Sequence, residues 1–326
     1  MLLQDYQFNS CFAQYIDGLI EQKHNCGYIY DSAKYCLIQF DRFCINENID
    51  IAIVTKELTQ KWTTYIQKES KSRRSYRVSI LRQLALHMST IDCSCYIPSR
   101  FTTKDYKMPY IMTDDEIKVF MKVVDEYTPQ NHGKRFLVLA EIYRVLFRFI
   151  YCCGLRVSEA RNLKIQDIDF NKCMAVLKHS KGDKDRVIYF ADDVGKMCKN
   201  LIHLLHKEYN LHSDFLFPSS NPEAPLQGSA INRKFREFWS QTSYAREDRH
   251  PTVHSLRYSF VIARMNRWME DGEQMNALMP YLSKYLGHSS VEDTYYYYHQ
   301  IESAFKIVRQ KDELSIQIIP EVTHEE

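Results

Sequence analysis

Residues 284–301 read KYLGHSSVEDTYYYYHQI. The apolar positions just before and into this stretch, Leu278, Tyr281, Leu282, Tyr285 and Leu286, have helical spacing, and Gly287 is the residue expected to stop that helix. Ser289 and Glu292 stand three apart, which matches a capping box and predicts that a second helix opens here. Tyr295 to Tyr298 then fall on this second helix. Consecutive helical positions point ~100° apart, so Tyr297 and Tyr298 cannot both face one target. The stretch is therefore helix, glycine turn, helix, and it sets the expectation of a mainly helical chain.

The rest of the composition agrees. A chain of 326 residues suits two domains rather than one core. Glycine and proline are scarce at nine each, which favours helices joined by short loops. Nothing resembles a span of ~20 apolar residues, so no membrane helix is expected. The start, MLLQDYQFNSCF, lacks a basic segment and does not resemble a signal peptide. Ten irregularly spaced cysteines then read as reduced thiols, and the expected location is the cytoplasm. The net charge of +2 conceals an asymmetry. Residues 1–55 carry seven acids and three Lys/Arg, residues 56–110 carry eleven Lys/Arg and four acids, and residues 302–326 carry six acids and three Lys/Arg. Such a basic block points to a nucleic-acid partner.

In the first domain, Phe12, Tyr15, Ile16 and Ile20 predict one helix, and Cys36, Phe40, Phe43 and Cys44 a second, with Ser32 as its expected cap. Residues 55–67 predict a third. Lys68 to Arg77 then place five cations at the start of a fourth, whose apolar face carries Ile80, Leu81, Leu84 and Met88. Lys71, Arg73, Arg74 and Arg77 are candidate phosphate contacts, against the alternative of a solvated helix start. His87, Cys93 and Cys95 lack a fourth ligand at zinc-like spacing and read as structural. Residues 97–112, with two prolines and no periodicity, read as a linker between a domain at 1–96 and another beginning at residue 113.

The second domain opens on Thr113-Asp-Asp-Glu116, a capping-box pattern. An apolar helix over residues 136–153 ends at Gly154, and Ser158 is the expected cap of the helix that follows. Arg156 stands in the turn between them. Residues 174–177 and 186–190 are β-rich and flank a basic tip around Lys181 and Gly182, which predicts a hairpin. Helices are expected over residues 193–209 and around Ile231, Phe235, Phe238 and Trp239. His254 and Arg257 stand three apart on one face of another. Each of these polar residues, taken alone, is more simply read as a surface, ion-pair or capping residue.

Their order carries a resemblance. Gly-Leu-Arg156-x-x-Glu159, Lys181-Gly in a hairpin, His254-x-x-Arg257, Leu-Gly-His288 and Tyr297 follow one another as in the tyrosine recombinase (phage integrase) family, which this chain resembles over residues 113–301. The resemblance implies a mainly α fold with a small β-sheet or hairpin. It places a helical core-binding domain before an α-rich catalytic domain at 113–302, the two together clamping DNA, and a tail at 303–326 that docks on a neighbouring subunit. It implies that Arg156, Arg257 and His288 hold the scissile phosphate and that Tyr297 attacks it, forming a covalent 3′-phosphotyrosine link. Lys181 is implied to protonate the leaving 5′-oxygen, with His254 as general base and Glu159 orienting Arg156. The chemistry suits these residue types: guanidiniums stabilise the extra negative charge of a phosphoryl transition state, and a tyrosine of ordinary pKa ~10 needs a base. Because the covalent link conserves the bond energy, no cofactor and no metal is expected. The implied partners are double-stranded DNA with specific core sites, further copies of the chain as a tetramer on two sites (a dimer per site), and accessory DNA-bending or directionality proteins. A type IB topoisomerase-like enzyme and a non-catalytic DNA-binding protein of the same fold are the alternatives. One departure is Tyr258, where the family often has His after the motif arginine.

Overall fold

A computed structural model describes residues 6–91, 93–100, 109–180, 184–246 and 250–298. The chain divides into two compact units, Met1–Tyr106 and Lys107–Glu326.

Among its described residues the first unit holds four helices: α1 (Ala13–Asn25), α2 (Asp31–Asn46), α3 (Lys56–Tyr65) and α4 (Lys71–Ser89). Thr55 caps α3 by accepting from the Leu58 N–H, and Ser70 caps α4 by accepting from the Arg73 N–H. Ser32 does not cap α2, which begins one residue earlier at Asp31, whose carboxylate stands in the positively polarised first turn. The core is aromatic, with Trp62 packed against Phe40 and Phe43 at centroid distances of 5.3 and 5.1 Å. Buried Asp41 accepts from the Ser10 N–H at 2.9 Å and from the Tyr6 hydroxyl at 2.9 Å, which ties the N-terminal segment to α2.

Arg77 overturns an expectation. It is 1 % exposed, pairs in a fork with Glu69, donates to the Trp62 and Thr63 carbonyls, and lies 4.4 Å from the Trp62 ring centroid. It is a core residue and not a phosphate contact. A basic run looks uniform in sequence, but the α4 face that carries Ile80, Leu81 and Leu84 also carries Arg77 inward, and Glu69 neutralises it there. Arg77→Ala leaves the Glu69 carboxylate buried without its charge partner and is expected to lower stability by about 3 kcal/mol. A urea titration of the full chain followed by tryptophan fluorescence checks this, and an unchanged midpoint contradicts it. Of the other candidates, Lys71 and Arg73 are exposed and Arg74 is half-buried. Cys93 and Cys95 place their Sγ atoms 3.7 Å apart, and His87 Nδ1 lies 3.2 Å from the Gln22 amide oxygen.

The second unit is built around the long apolar helix α6 (Lys134–Cys153). Before it stands α5 (Asp114–Glu126), with the Thr113–Glu116 capping box formed in both directions. After it come α7 (Val157–Asn162), β1 (Ile168–Asp169), β2 (Met174–Ser180) and β3 (Lys184–Tyr189). The three strands form one antiparallel sheet in the order β1-β2-β3, with Ala175 opposite Ile188 and both buried. Strand β1 is two residues long, too short to show an alternation in sequence. Then follow α8 (Asp192–Lys207), α9 (Gly228–Ser240), α10 (Val253–Glu270), α11 (Met275–Leu286) and α12 (Glu292–Tyr298). Among the described residues no helix is long and apolar enough to cross a membrane.

Two caps differ from expectation. Arg156, not Ser158, is the cap position of α7, and the Glu159 carboxylate takes its backbone N–H at 2.8 Å. Helix α12 starts at Glu292, and Ser290 rather than Ser289 offers its hydroxyl to a first-turn N–H, that of Asp293. In both places a side chain that seemed available for capping is replaced by a neighbour in better reach.

Candidate active site

Two glycine turns bring the site together. Gly154 ends α6 in the left-handed region at φ +61°, and a Cβ there would meet the Phe260 ring at 2.4 Å. Gly287 ends α11 at φ +65°, and a Cβ there would meet the Arg186 guanidinium at 3.0 Å. The first turn delivers Arg156, the second delivers His288, and α10 passes between them with His254 and Arg257.

At the centre is one buried carboxylate. Glu159 accepts from Arg156 Nη1 at 2.6 Å and from both Nη atoms of Arg186 at 2.6 and 2.8 Å, and Arg257 Nη1 lies 3.6 Å away. Burial alone would raise its pKa, but the Arg186 and Arg156 hydrogen bonds outweigh that and hold it at about 2. Arg257 is 1 % exposed and donates to the Gly154 carbonyl at 2.9 Å and the Leu286 carbonyl at 2.7 Å. Arg156, 17 % exposed at its side chain, donates to the Gly287 carbonyl at 3.1 Å. Among the described residues three guanidiniums meet this carboxylate in a partly desolvated place, and such an excess of positive charge suits an anion.

Arg186 gave no signal in the sequence. On β3 it forks to Glu159 and donates from Nε to the Tyr285 carbonyl at 2.8 Å, so the hairpin strand is fastened to both α7 and the end of α11. One arginine among the charged residues of a hairpin reads as surface, and only the partners 27 and 99 residues away distinguish it.

The histidines lie on either side. His288 places Nδ1 2.7 Å from the Thr294 hydroxyl and Nε2 3.1 Å from Arg257 Nη2. Burial first, then Arg257 and Arg156, push its pKa down to about 4. His254 packs edge-on to Tyr258 at 4.7 Å, and burial followed by Arg257 and Arg156 pushes its pKa down to about 4 as well. Both rings are therefore neutral at pH 7. Unfolded, each titrates near its ordinary 6.5, so between about 4 and 6.5 the unfolded chain binds more protons and stability falls as pH falls. A loss of about 2 kcal/mol is expected between pH 7 and pH 4.5, allowing for partial solvent screening. Glu159 adds its own loss only below its ordinary 4.5. Urea midpoints measured across this range check the sign, and a midpoint that rises on acidification contradicts it.

Thr294 is fully buried in α12, and Tyr297 stands three positions further along the same helix. Tyr285, by contrast, is engaged by the Cys153 and Tyr189 carbonyls, and burial pushes its pKa up, which removes it as a nucleophile. The structure thus brings together Arg156, Glu159, His254, Arg257 and His288, with Tyr297 on the adjoining helix. Lys181 and the tail at 303–326 lie outside the described residues.

The sequence profile of the phage integrase family matches residues 111–303. This chain belongs to that family. Among relatives, the Sinorhizobium fredii protein y4rB, described as an integrase/recombinase, is 27% identical over 88% of this chain and 92% of that protein. Tyrosine recombinase XerC of Staphylococcus aureus is 24% identical over 81% of this chain and 83% of that protein. In fold, the chain is similar to the Tn1549 transposon integrase solved with transposon right end DNA, at 16% identity and a TM-score of 0.63 over 92% of this chain and 98% of that one. It is also similar to lambda integrase, solved as a tetramer bound to a Holliday junction, at 16% identity and a TM-score of 0.60 over 86% of this chain and 76% of that one.

Proposed function

We propose that this protein is a site-specific DNA recombinase that cuts and rejoins strands through a 3′-phosphotyrosine formed on Tyr297. The observation that carries the reading is the cluster of Arg156, Arg186 and Arg257 around the single carboxylate of Glu159, beside two neutral histidines. A phosphodiester resists attack until its charge is neutralised. Arg156 and Arg257 hold the nonbridging oxygens, while Glu159 and Arg186 fix where those guanidiniums stand. Neutral His254 takes the tyrosine proton, and Lys181 gives one to the departing 5′-oxygen. The free 5′-hydroxyl of another strand then attacks the phosphotyrosine, which exchanges strands and returns the tyrosine.

The partner is double-stranded DNA with core sites. Lys71, Arg73 and Arg74 of the helical N-terminal unit contact its phosphates, and four copies assemble on two sites, aided by the tail at 303–326 and by accessory DNA-bending proteins. The enzyme acts in the cytoplasm. A nicked suicide duplex, drawn from the DNA that flanks the gene in its host, tests the chemistry. Wild type is expected to form a covalent adduct, and Tyr297→Phe none. A two-site substrate then tests recombination: exchanged arms support it, whereas relaxation without exchange, or no adduct on any flanking site, contradicts it.

A further inference from the structure

The tautomer of His288 is set by its neighbours. A guanidinium can only donate, so the contact between Arg257 Nη2 and His288 Nε2 at 3.1 Å makes Nε2 an acceptor. A neutral imidazole carries one N–H, which therefore sits on Nδ1 and is donated to Thr294 Oγ1 at 2.7 Å. In this form the edge of His288 that meets Arg257 presents a lone pair. A phosphate oxygen arriving there would be repelled by the imidazole and attracted only by the arginine.

Three changes would turn Nε2 into a donor. Protonating the ring is opposed by its burial and by Arg257 and Arg156 beside it. Swinging the ring away is opposed by its contacts to Thr294 on one side and Arg257 on the other. Moving the proton from one nitrogen to the other needs only a neighbour at Nδ1 that both accepts and donates. A carbonyl accepts only and an amide N–H donates only, and either would lock one tautomer; a hydroxyl does both.

We propose that Thr294 is a positioning residue that lets His288 change tautomer when the scissile phosphate arrives, so that Nε2, which accepts from Arg257 in the free enzyme, donates to the phosphate in the DNA complex. The proposal rests on the recombinase reading above. One proton leaves Nδ1 for solvent and another arrives at Nε2, so the ring stays neutral. The Thr294 hydroxyl turns from accepting to donating, and the Arg257 N–H that faced the ring turns to the phosphate. Because Thr294 is in α12, one turn before Tyr297, the same contact also ties the ring to the nucleophile's helix.

Suicide-substrate cleavage by Thr294→Val and Thr294→Ser tests this. Valine keeps the shape and loses the hydroxyl; about 100-fold slower adduct formation is expected, as for loss of one donor to the transition state, with DNA affinity unchanged and the urea midpoint lowered by the loss of one buried hydrogen bond. Serine restores the hydroxyl and is expected to stay within about threefold of wild type. Ring-nitrogen NMR of the full chain labelled with 15N-histidine, with His288→Asn to identify the signal, reads the proton directly. The expected result is Nδ1–H in the free enzyme and Nε2–H in a Tyr297→Phe complex with core-site duplex. A wild type that cleaves alongside a Thr294→Val that cleaves equally fast overturns the proposal alone, as does Nε2–H in the free enzyme. A wild type that forms no adduct overturns the recombinase reading and the proposal with it.

Discussion

Arg257→Ala is expected to lower the rate of tyrosyl–DNA adduct formation by about 10³-fold or more. Arg257 donates to the Gly154 and Leu286 carbonyls, touches His288 and lies 3.6 Å from Glu159, so it is the hub that connects both glycine turns. Removing it takes away one guanidinium from the transferring phosphate and leaves two buried carbonyls without donors, which also costs about 1–3 kcal/mol each. The two effects separate in Arg257→Lys. Lysine keeps the charge and most of the volume but cannot reach two carbonyls and a phosphate with one ammonium. Its cleavage should remain at least about 100-fold down while its urea midpoint recovers part of the alanine loss. Adduct assays run well below the unfolding transition measure the first effect, and denaturant titrations the second. A lysine variant with wild-type cleavage would contradict the role given to the fork.

Glu159→Ala should be strongly destabilising, by about 3–5 kcal/mol. Its carboxylate faces Arg156, Arg186 and Arg257, and without it three guanidiniums face one another at low exposure. Glu159→Gln keeps the shape and one acceptor oxygen, so it should lose less stability than alanine. Both variants should bind DNA at least as tightly as wild type, because a negative charge has been removed from an anion site, yet cleave more slowly because Arg156 and Arg186 are no longer aimed. Calorimetry and filter binding test the pair of expectations. A Glu159→Ala chain as stable as wild type would contradict the electrostatic account of the cluster.

What the sequence disclosed, and what it hid, follows from the range of each interaction. The helices with strong apolar spacing, the Gly154 and Gly287 stops and the Thr113 capping box are local, and each is visible in a handful of residues. Arg156, Arg257 and His288 stand in short motifs that resemble a family, and the structure brings all three within reach of one another. Arg186 is different, because everything that distinguishes it is contributed by Glu159 and Tyr285, remote in sequence. Arg77 is the converse case: a run of cations reads as one exposed surface, but the helical period turns one of them inward to Glu69 and Trp62. The caps at Arg156 and Ser290 escaped because several nearby hydroxyls and carboxylates compete for the same first-turn N–H groups. The tautomer of His288 depends on two partners at once, one on α10 and one on α12, and no single-residue signal carries it.

The central claim is that Tyr297, among four adjacent tyrosines, carries the DNA. The measurement that tests it most directly is mass-spectrometric mapping of the covalent adduct formed on a suicide duplex. Trypsin releases residues 285–306 as one peptide, with no Lys or Arg before Lys306, so fragmentation within that peptide must locate the nucleotide remnant. The remnant is expected on Tyr297. A remnant on Tyr295, Tyr296 or Tyr298, or on a residue outside this peptide, would contradict it.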